Sequence, residues 1–213
     1  VALRVQGAQG VLRAGLGRGT ERLERALDSA DRQVQRLSDL VESLLDVSQL
    51  QGSAPRLHLE DVDLARVVRD AVSRSEDAAA RAGCLLVLGP LEPTQGRWDA
   101  ARLSQVMTHL LSNAMKFGPG KPVEVALESG RDMATLMVKD HGIGIAPGRL
   151  ESLFRRFERA VPVRHYGGLG LGLYRLRRIV EAHGGGVSVD SRPGEGATFR
   201  VRLPREGPPA LRD

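Results

Sequence analysis

The chain has 213 residues, 41% of them hydrophobic and only 3% aromatic, with a formal net charge of +5. That length admits one large domain, or one domain with a smaller appendage, around an aliphatic core. The positive excess is arginine scattered along the chain rather than a basic stripe with interleaved aromatics, which argues against nucleic acid. No run approaches the roughly 18 apolar residues of a membrane span, and the first residues lack the form of a signal peptide. Cys84 is the sole cysteine, so there is no internal disulfide and no cysteine metal cluster, and a reducing, cytoplasmic setting fits. Its apolar surroundings, Cys84-Leu85-Leu86-Val87-Leu88, read it as a small buried hydrophobe.

Taken in order, Val1 to about Ala14 is weakly helical, interrupted by Gly7 and Gly10, and Gly15-Leu16-Gly17-Arg18-Gly19 breaks it. Thr20 is a good N-cap for a long helix from Glu21 to about Leu50. Leu23, Ala30, Leu37 and Leu44 recur every seven residues, with Leu27, Val34 and Val41 in the alternate seam, the pattern of a coiled coil or bundle. Such a helix spans roughly 45 Å, longer than a compact domain needs. It therefore calls for a bundle partner: the segment before Gly15 as antiparallel neighbour, and a second copy of the chain completing four helices.

Residues 51–56, containing Gln51-Gly52-Ser53-Ala54-Pro55, form a linker between residues 1–50 and a second domain over 57–204. In that domain the patterns predict a strand at Leu57–Leu59, a helix over Leu64–Ala82, a strand at Cys84–Leu88 and a loop from Pro90 to Arg97. A helix over Ala100–Phe117 follows, stopped by Gly118-Pro119-Gly120, then alternating strands at 123–127 and 134–138. A helix from Leu171 to His183 ends at three glycines, and strands at 187–191 and 197–203 close the domain. The fold class is α+β: a two-layer sandwich, a mixed sheet with three helices on one face, preceded by a helical hairpin. Residues 205–213 are Pro-rich and read as a disordered tail.

Two glycine clusters suggest chemistry: Asp140-His141-Gly142-Ile143-Gly144-Ile145, and Gly167-Gly168-Leu169-Gly170-Leu171-Gly172-Leu173. Alternate glycines let backbone amides approach a ligand, and a following helix adds its positive N-terminal end. Two such clusters flanking the Arg-rich segment Leu153-Phe154-Arg155-Arg156-Phe157-Glu158-Arg159 point to a nucleotide site. Upstream, Asn113 offers an amide oxygen suited to a hard cation such as Mg²⁺, and Lys116 could meet a phosphate. No His, Cys, Asp or Glu set has zinc spacing.

Together these stretches resemble a known family. Asn113-Ala114-Met115-Lys116-Phe117, Asp140-x-Gly142-x-Gly144, Leu153-Phe154-x-x-Phe157 and Gly168-x-Gly170-x-Gly172 are similar, in order and spacing, to the N, G1, F and G2 boxes of bacterial sensor histidine kinases. Gly194-x-Gly196-Ala197-Thr198-Phe199 resembles that family's final glycine motif, and the helix 21–50 resembles the second helix of its dimerisation hairpin. The resemblance implies an ATP-binding catalytic domain that transfers a phosphoryl group to a histidine and then to an aspartate on a response regulator receiver domain. It implies ATP and Mg²⁺ as ligands and a homodimer through the helix 21–50. By position, Asn113 would ligate Mg²⁺, Lys116 would meet phosphate, and Asp140 would accept from the adenine amino group. Gly142 and Gly144 would let the backbone pass the base. Gly168, Leu169, Gly170, Leu171 and Gly172 would wrap the triphosphate, and Thr198 would lie near the adenine. Phe154, Phe157, Arg159 and His165 would belong to a lid, with core packing an equal reading for the two phenylalanines.

Three departures stand out. His109 stands where the family often has a first asparagine, and His141 where the G1 box often has asparagine or threonine. The family's phosphoacceptor, a histidine followed by an acidic residue and a proline, has no match before His58, the first of the five histidines. The sequence as written is therefore expected to bind ATP without phosphorylating itself. A non-catalytic, dimerising ATP-binding signalling module is the alternative. A gyrase-like or chaperone-like ATPase ranks last, because His109 and Ser112 offer no glutamate general base.

Overall fold

A computed structural model describes residues 55–158 and 170–208, which fall within one compact unit, Gln51–Asp213. The expected hairpin over 1–50 lies outside the described residues, as does most of the linker.

Strand β1 (Glu60–Asp63) leads directly into helix α1 (Leu64–Arg81). Asp63 makes the junction: its Oδ1 accepts from the Ala65 amide at 3.1 Å, capping the helix, and from the Thr94 amide at 2.9 Å. Strands β2 (Leu86–Leu91) and β3 (Gln95–Trp98) follow, and Asp99 caps helix α2 (Ala100–Phe117) by accepting from the Arg102 amide at 2.9 Å. Then come β4 (Val123–Ser129), β5 (Met133–Asp140), the one-turn helix α3 (Pro147–Leu150), helix α4 (Gly172–Ala182), β6 (Gly186–Arg192) and β7 (Gly196–Pro204).

The main sheet is five-stranded in the order β2-β4-β5-β7-β6, with β2 parallel to β4 and every other pairing antiparallel. The mixed sheet is as anticipated. Its central strands alternate: Val123, Val125 and Leu127, then Leu136 and Val138, then Phe199, Val201 and Leu203 are buried on one face. These pack with Val68 and Val72 of α1, Met107, Leu110 and Leu111 of α2, and Leu176, Ile179 and Val180 of α4. Each such side chain contributes about 1.5–3 kcal/mol on burial. Glu124, Met137, Lys139 and Arg200 lie partly exposed on the other face.

Two predicted elements need correction. The first strand lies at 60–63 rather than 57–59, and the expected loop from Pro90 to Arg97 contains the end of β2 and most of β3. β3 pairs antiparallel with β1 in a separate two-stranded sheet. Gln95-Gly96-Arg97 shows no apolar alternation; the strand is held by Trp98, which is fully buried and donates from Nε1 to the Pro204 carbonyl at 2.7 Å. The Trp98 ring also covers Gly96, where no Cβ would fit. Arg205, assigned to the tail, donates its amide to the Asp132 carbonyl at 2.9 Å and accepts from the Arg97 amide at 2.7 Å.

Candidate functional site

Asp140 ends β5, flanked by Val123 of β4 and Ala197 of β7. It is 7% exposed, and its Oδ1 accepts from the Gly142 amide at 2.8 Å. Burial raises its carboxyl above the usual carboxylate range, although the Gly142 and Ala197 amides and the neighbouring His141 pull the other way. A further hydrogen-bond donor brought to this carboxylate would offset part of the cost of its desolvation.

The loop after Asp140 is pinned on both sides. The Ile143 amide donates to the Phe117 carbonyl at 3.1 Å, and the Ile143 carbonyl accepts from the Gly194 amide at 2.8 Å. The Ile145 amide donates to Ser191 Oγ at 2.9 Å, and the same hydroxyl donates to the Gly196 carbonyl at 2.6 Å. The glycines here serve the protein's own packing. A Cβ on Gly142 would fall on the Phe117 carbonyl oxygen, and Gly144, at φ +67, lies against the Arg192 carbonyl. Ser191 is an ordinary serine at a strand end, and no sequence signal marks it.

These bonds bring the end of α2 to Asp140, 23 residues further on in number but adjacent through Phe117 and Gly142. Asn113 and Lys116 lie on that last stretch of α2, both partly exposed, and the Lys116 ammonium sits 5.3 Å from the Phe117 ring centroid. At the far side, Gly170 has φ +72, and Leu171 is the N-cap of α4. Among the described residues no side chain caps that helix and no acidic residue occupies its first turn, so its leading amides present positive partial charge.

Other anticipated residues fall differently. Thr198 pairs with Lys139 and Asp190, and strand alternation puts it on the opposite sheet face from Asp140; the residue beside Asp140 is Ala197. His141 turns toward the same open face, its Nε2 2.7 Å from Glu124 Oε1, which also accepts from Lys139 Nζ at 3.1 Å. Those two partners hold the Glu124 carboxyl below the usual range. Phe154 is 8% exposed and joins the core with Leu153, whereas Phe157 is 62% exposed and is the one described non-glycine residue at positive φ, +62. Arg156 ties this segment to α4, donating to the Tyr174 hydroxyl at 2.9 Å. Arg159, His165, Gly168 and Leu169 lie outside the described residues. Among the described residues no cluster of three His, Cys, Asp or Glu side chains could hold a metal, and no helix is long and apolar enough to cross a membrane.

Residues 98–207, from Trp98 through β7, match the family profile described as histidine kinase-, DNA gyrase B-, and HSP90-like ATPase. The chain belongs to this ATPase family. Within it, the chain is similar to sensor histidine kinases. It is 34% identical over 185 residues to sensor histidine kinase MtrB of Mycobacterium tuberculosis, covering 85% of this chain and 33% of MtrB. It is 37% identical over 195 residues to the probable sensor histidine kinase TcrY of the same species, covering 90% of this chain and 40% of TcrY. Among solved structures, full-length ShkA in complex with AMPPNP superposes with a TM-score of 0.69 at 26% identity, covering 86% of this chain and 38% of that one. The chain thus spans well under half the length of these relatives. What it carries is the ATPase-type catalytic domain of a sensor histidine kinase homologue, and both the mixed sheet and the three-helix layer agree with that family's fold.

Proposed function

We propose that this domain binds ATP with Mg²⁺ between the end of α2, the Asp140 loop and the N-terminus of α4, and transfers the γ-phosphoryl group to a histidine. The observation that carries the reading is Asp140: a buried carboxylate held above its ordinary pKa by desolvation, with the Gly142 amide donating to its Oδ1. An adenine amino group would supply the donor it is prepared for. Guanine would present a carbonyl there instead, leaving two acceptors face to face.

The phosphates would lie toward Lys116 and the uncapped amides of α4, which favour negative charge without reorganising. The Asn113 amide oxygen fits a hard cation, and with no carboxylate cluster among the described residues the ion would take its remaining ligands from phosphate oxygens and water. Bound Mg²⁺ would neutralise phosphate charge. The protein's own share is positioning and charge complementarity. In the transfer, an acceptor imidazole nitrogen forms a bond to the γ-phosphorus, the bond from that phosphorus to the β,γ-bridging oxygen breaks, ADP leaves, and the imidazole proton is released. The phosphoryl group would then pass to an aspartate on a response regulator receiver domain. The AMPPNP bound by ShkA and the sensor-kinase names of MtrB and TcrY support this reading. A homodimer through residues 21–50, and the division into 1–50, 51–56, 57–204 and 205–213, belong to the same proposal.

The test is calorimetric titration with Mg-ATP, followed by addition of a separate acceptor hairpin and radiolabelled ATP. The expected result is binding that Asn113→Ala and Asp140→Ala each abolish, with label appearing on the hairpin. Binding without transfer would favour the non-catalytic module, and absence of binding would overturn the proposal.

A further inference from the structure

We propose that His109 is a positioning residue for the phosphate end of the site: its imidazole seats the N-terminus of α4 against the Asn113-bearing side of α2, and Gly172 is glycine because of that ring. The inference rests on the ATP reading above.

His109 and Asn113 are four residues apart on α2, so they share a face of that helix. Gly172 is the first residue of α4. A Cβ built on Gly172 would fall on the His109 ring; its nearest neighbours are Cε1 and Nε2, with Nδ1 at 2.9 Å. The backbone does not ask for glycine there. Gly170, Gly184, Gly194 and Gly196 have positive φ, and Gly172 does not. An alanine could adopt its conformation, and the imidazole is what occupies the space. This differs in kind from Gly142 and Gly144, whose missing Cβ atoms make room for backbone carbonyls.

The consequence is geometric. With no Cβ between them, the imidazole and the first turn of α4 are in direct contact, and the ring sets how closely the leading amides of α4 approach the face that carries Asn113. At its other end α4 is held to α2 through His183 and the Asp99 amide. The helix is therefore fixed at both ends, and the His109 end is the one that faces the proposed phosphates. Removing the ring leaves that end unsupported, and adding a methyl at Gly172 pushes it away. Either change acts on the phosphates and spares the adenine pocket around Asp140.

A double-mutant cycle on the whole chain tests this, with Mg-ATP and adenosine affinities measured for the wild type, His109→Ala, Gly172→Ala and the pair, and a melting curve for each. Each single substitution is expected to weaken Mg-ATP roughly tenfold and adenosine by less than about twofold, and the double variant is expected to bind no worse than either single one. The proposal is overturned if the two losses multiply in the double variant, or if adenosine weakens as much as Mg-ATP. Should Gly172→Ala fail to fold, His109→Ala decides alone by the contrast between the two ligands. A wild type that binds neither ligand would sink the ATP reading and this proposal with it, whereas normal wild-type binding with independent losses would sink only this one.

Discussion

Nε2 of His183 accepts a hydrogen bond from the Asp99 amide at 3.0 Å, joining the C-terminal end of α4 to the first turn of α2. The other ring nitrogen, Nδ1, lies 2.8 Å from the Ile179 carbonyl and must donate, so the ring is neutral with its proton on Nδ1. His183 is fully buried, and burial pushes its pKa down, against the Ile179 carbonyl and the Asp99 carboxylate. Asp99 itself is raised by burial but brought below its ordinary value overall by the Arg102 and His58 amides.

Stability should therefore depend on pH through His183. Above about pH 6.5 both folded and unfolded chains carry a neutral ring, so its contribution is complete. As pH falls below that value the unfolded chain takes up a proton that the folded one resists, and stability declines. The melting temperature is expected to fall between pH 7 and pH 5, and less steeply in His183→Gln. His183→Ala, which leaves the Asp99 amide unpaired beside a cavity, should cost about 2–4 kcal/mol in urea unfolding. A flat pH profile would refute the neutral-ring account.

Asp140→Asn is expected to keep the fold, since an amide oxygen can still accept from Gly142. It removes a charge that burial disfavours, so the melting temperature should hold or rise while ATP binding is lost. In the wild type the folded pKa is raised, so the charged form costs stability at neutral pH, and protonation relieves that cost as pH falls. ATP affinity should move the other way, declining as the carboxylate is protonated above the usual carboxylate range. Titrations from pH 7 downward check this; an Asp140→Asn protein that still discriminates ATP from GTP would refute the assigned role.

The pinned loop offers a separate check. Gly144→Ala meets both a positive φ of +67 and the Arg192 carbonyl, and should destabilise by about 3 kcal/mol or more. Ser191→Ala removes only the hydroxyl bridge between Ile145 and Gly196, and should cost about 1 kcal/mol. Denaturant unfolding of both variants measures the difference; equal losses would mean the loop is not held as described.

Trp98→Phe should keep most of the apolar contact and lose the bond to the Pro204 carbonyl, at about 1–2 kcal/mol by the same measurement. No loss would show that the indole N–H is unimportant to anchoring β3.

Periodicity and punctuation determined much of this protein from the sequence alone. The 3.6-residue pattern of Leu103, Val106, Met107, Leu110 and Leu111 marks α2, and the alternation in β4 and β5 marks two central strands, because each element carries its own burial pattern locally. The ordered boxes around Asn113, Asp140 and Gly170 likewise identify the family. Tertiary structure decided what no local pattern carries. It made a strand of Gln95–Trp98 by burying Trp98, put Ala197 rather than Thr198 beside Asp140, and separated Phe154 in the core from exposed Phe157. It also brought His109 onto Gly172, 63 positions along. Such contacts depend on how elements distant in sequence pack together, and they exist only once the shared core has fixed those elements against one another.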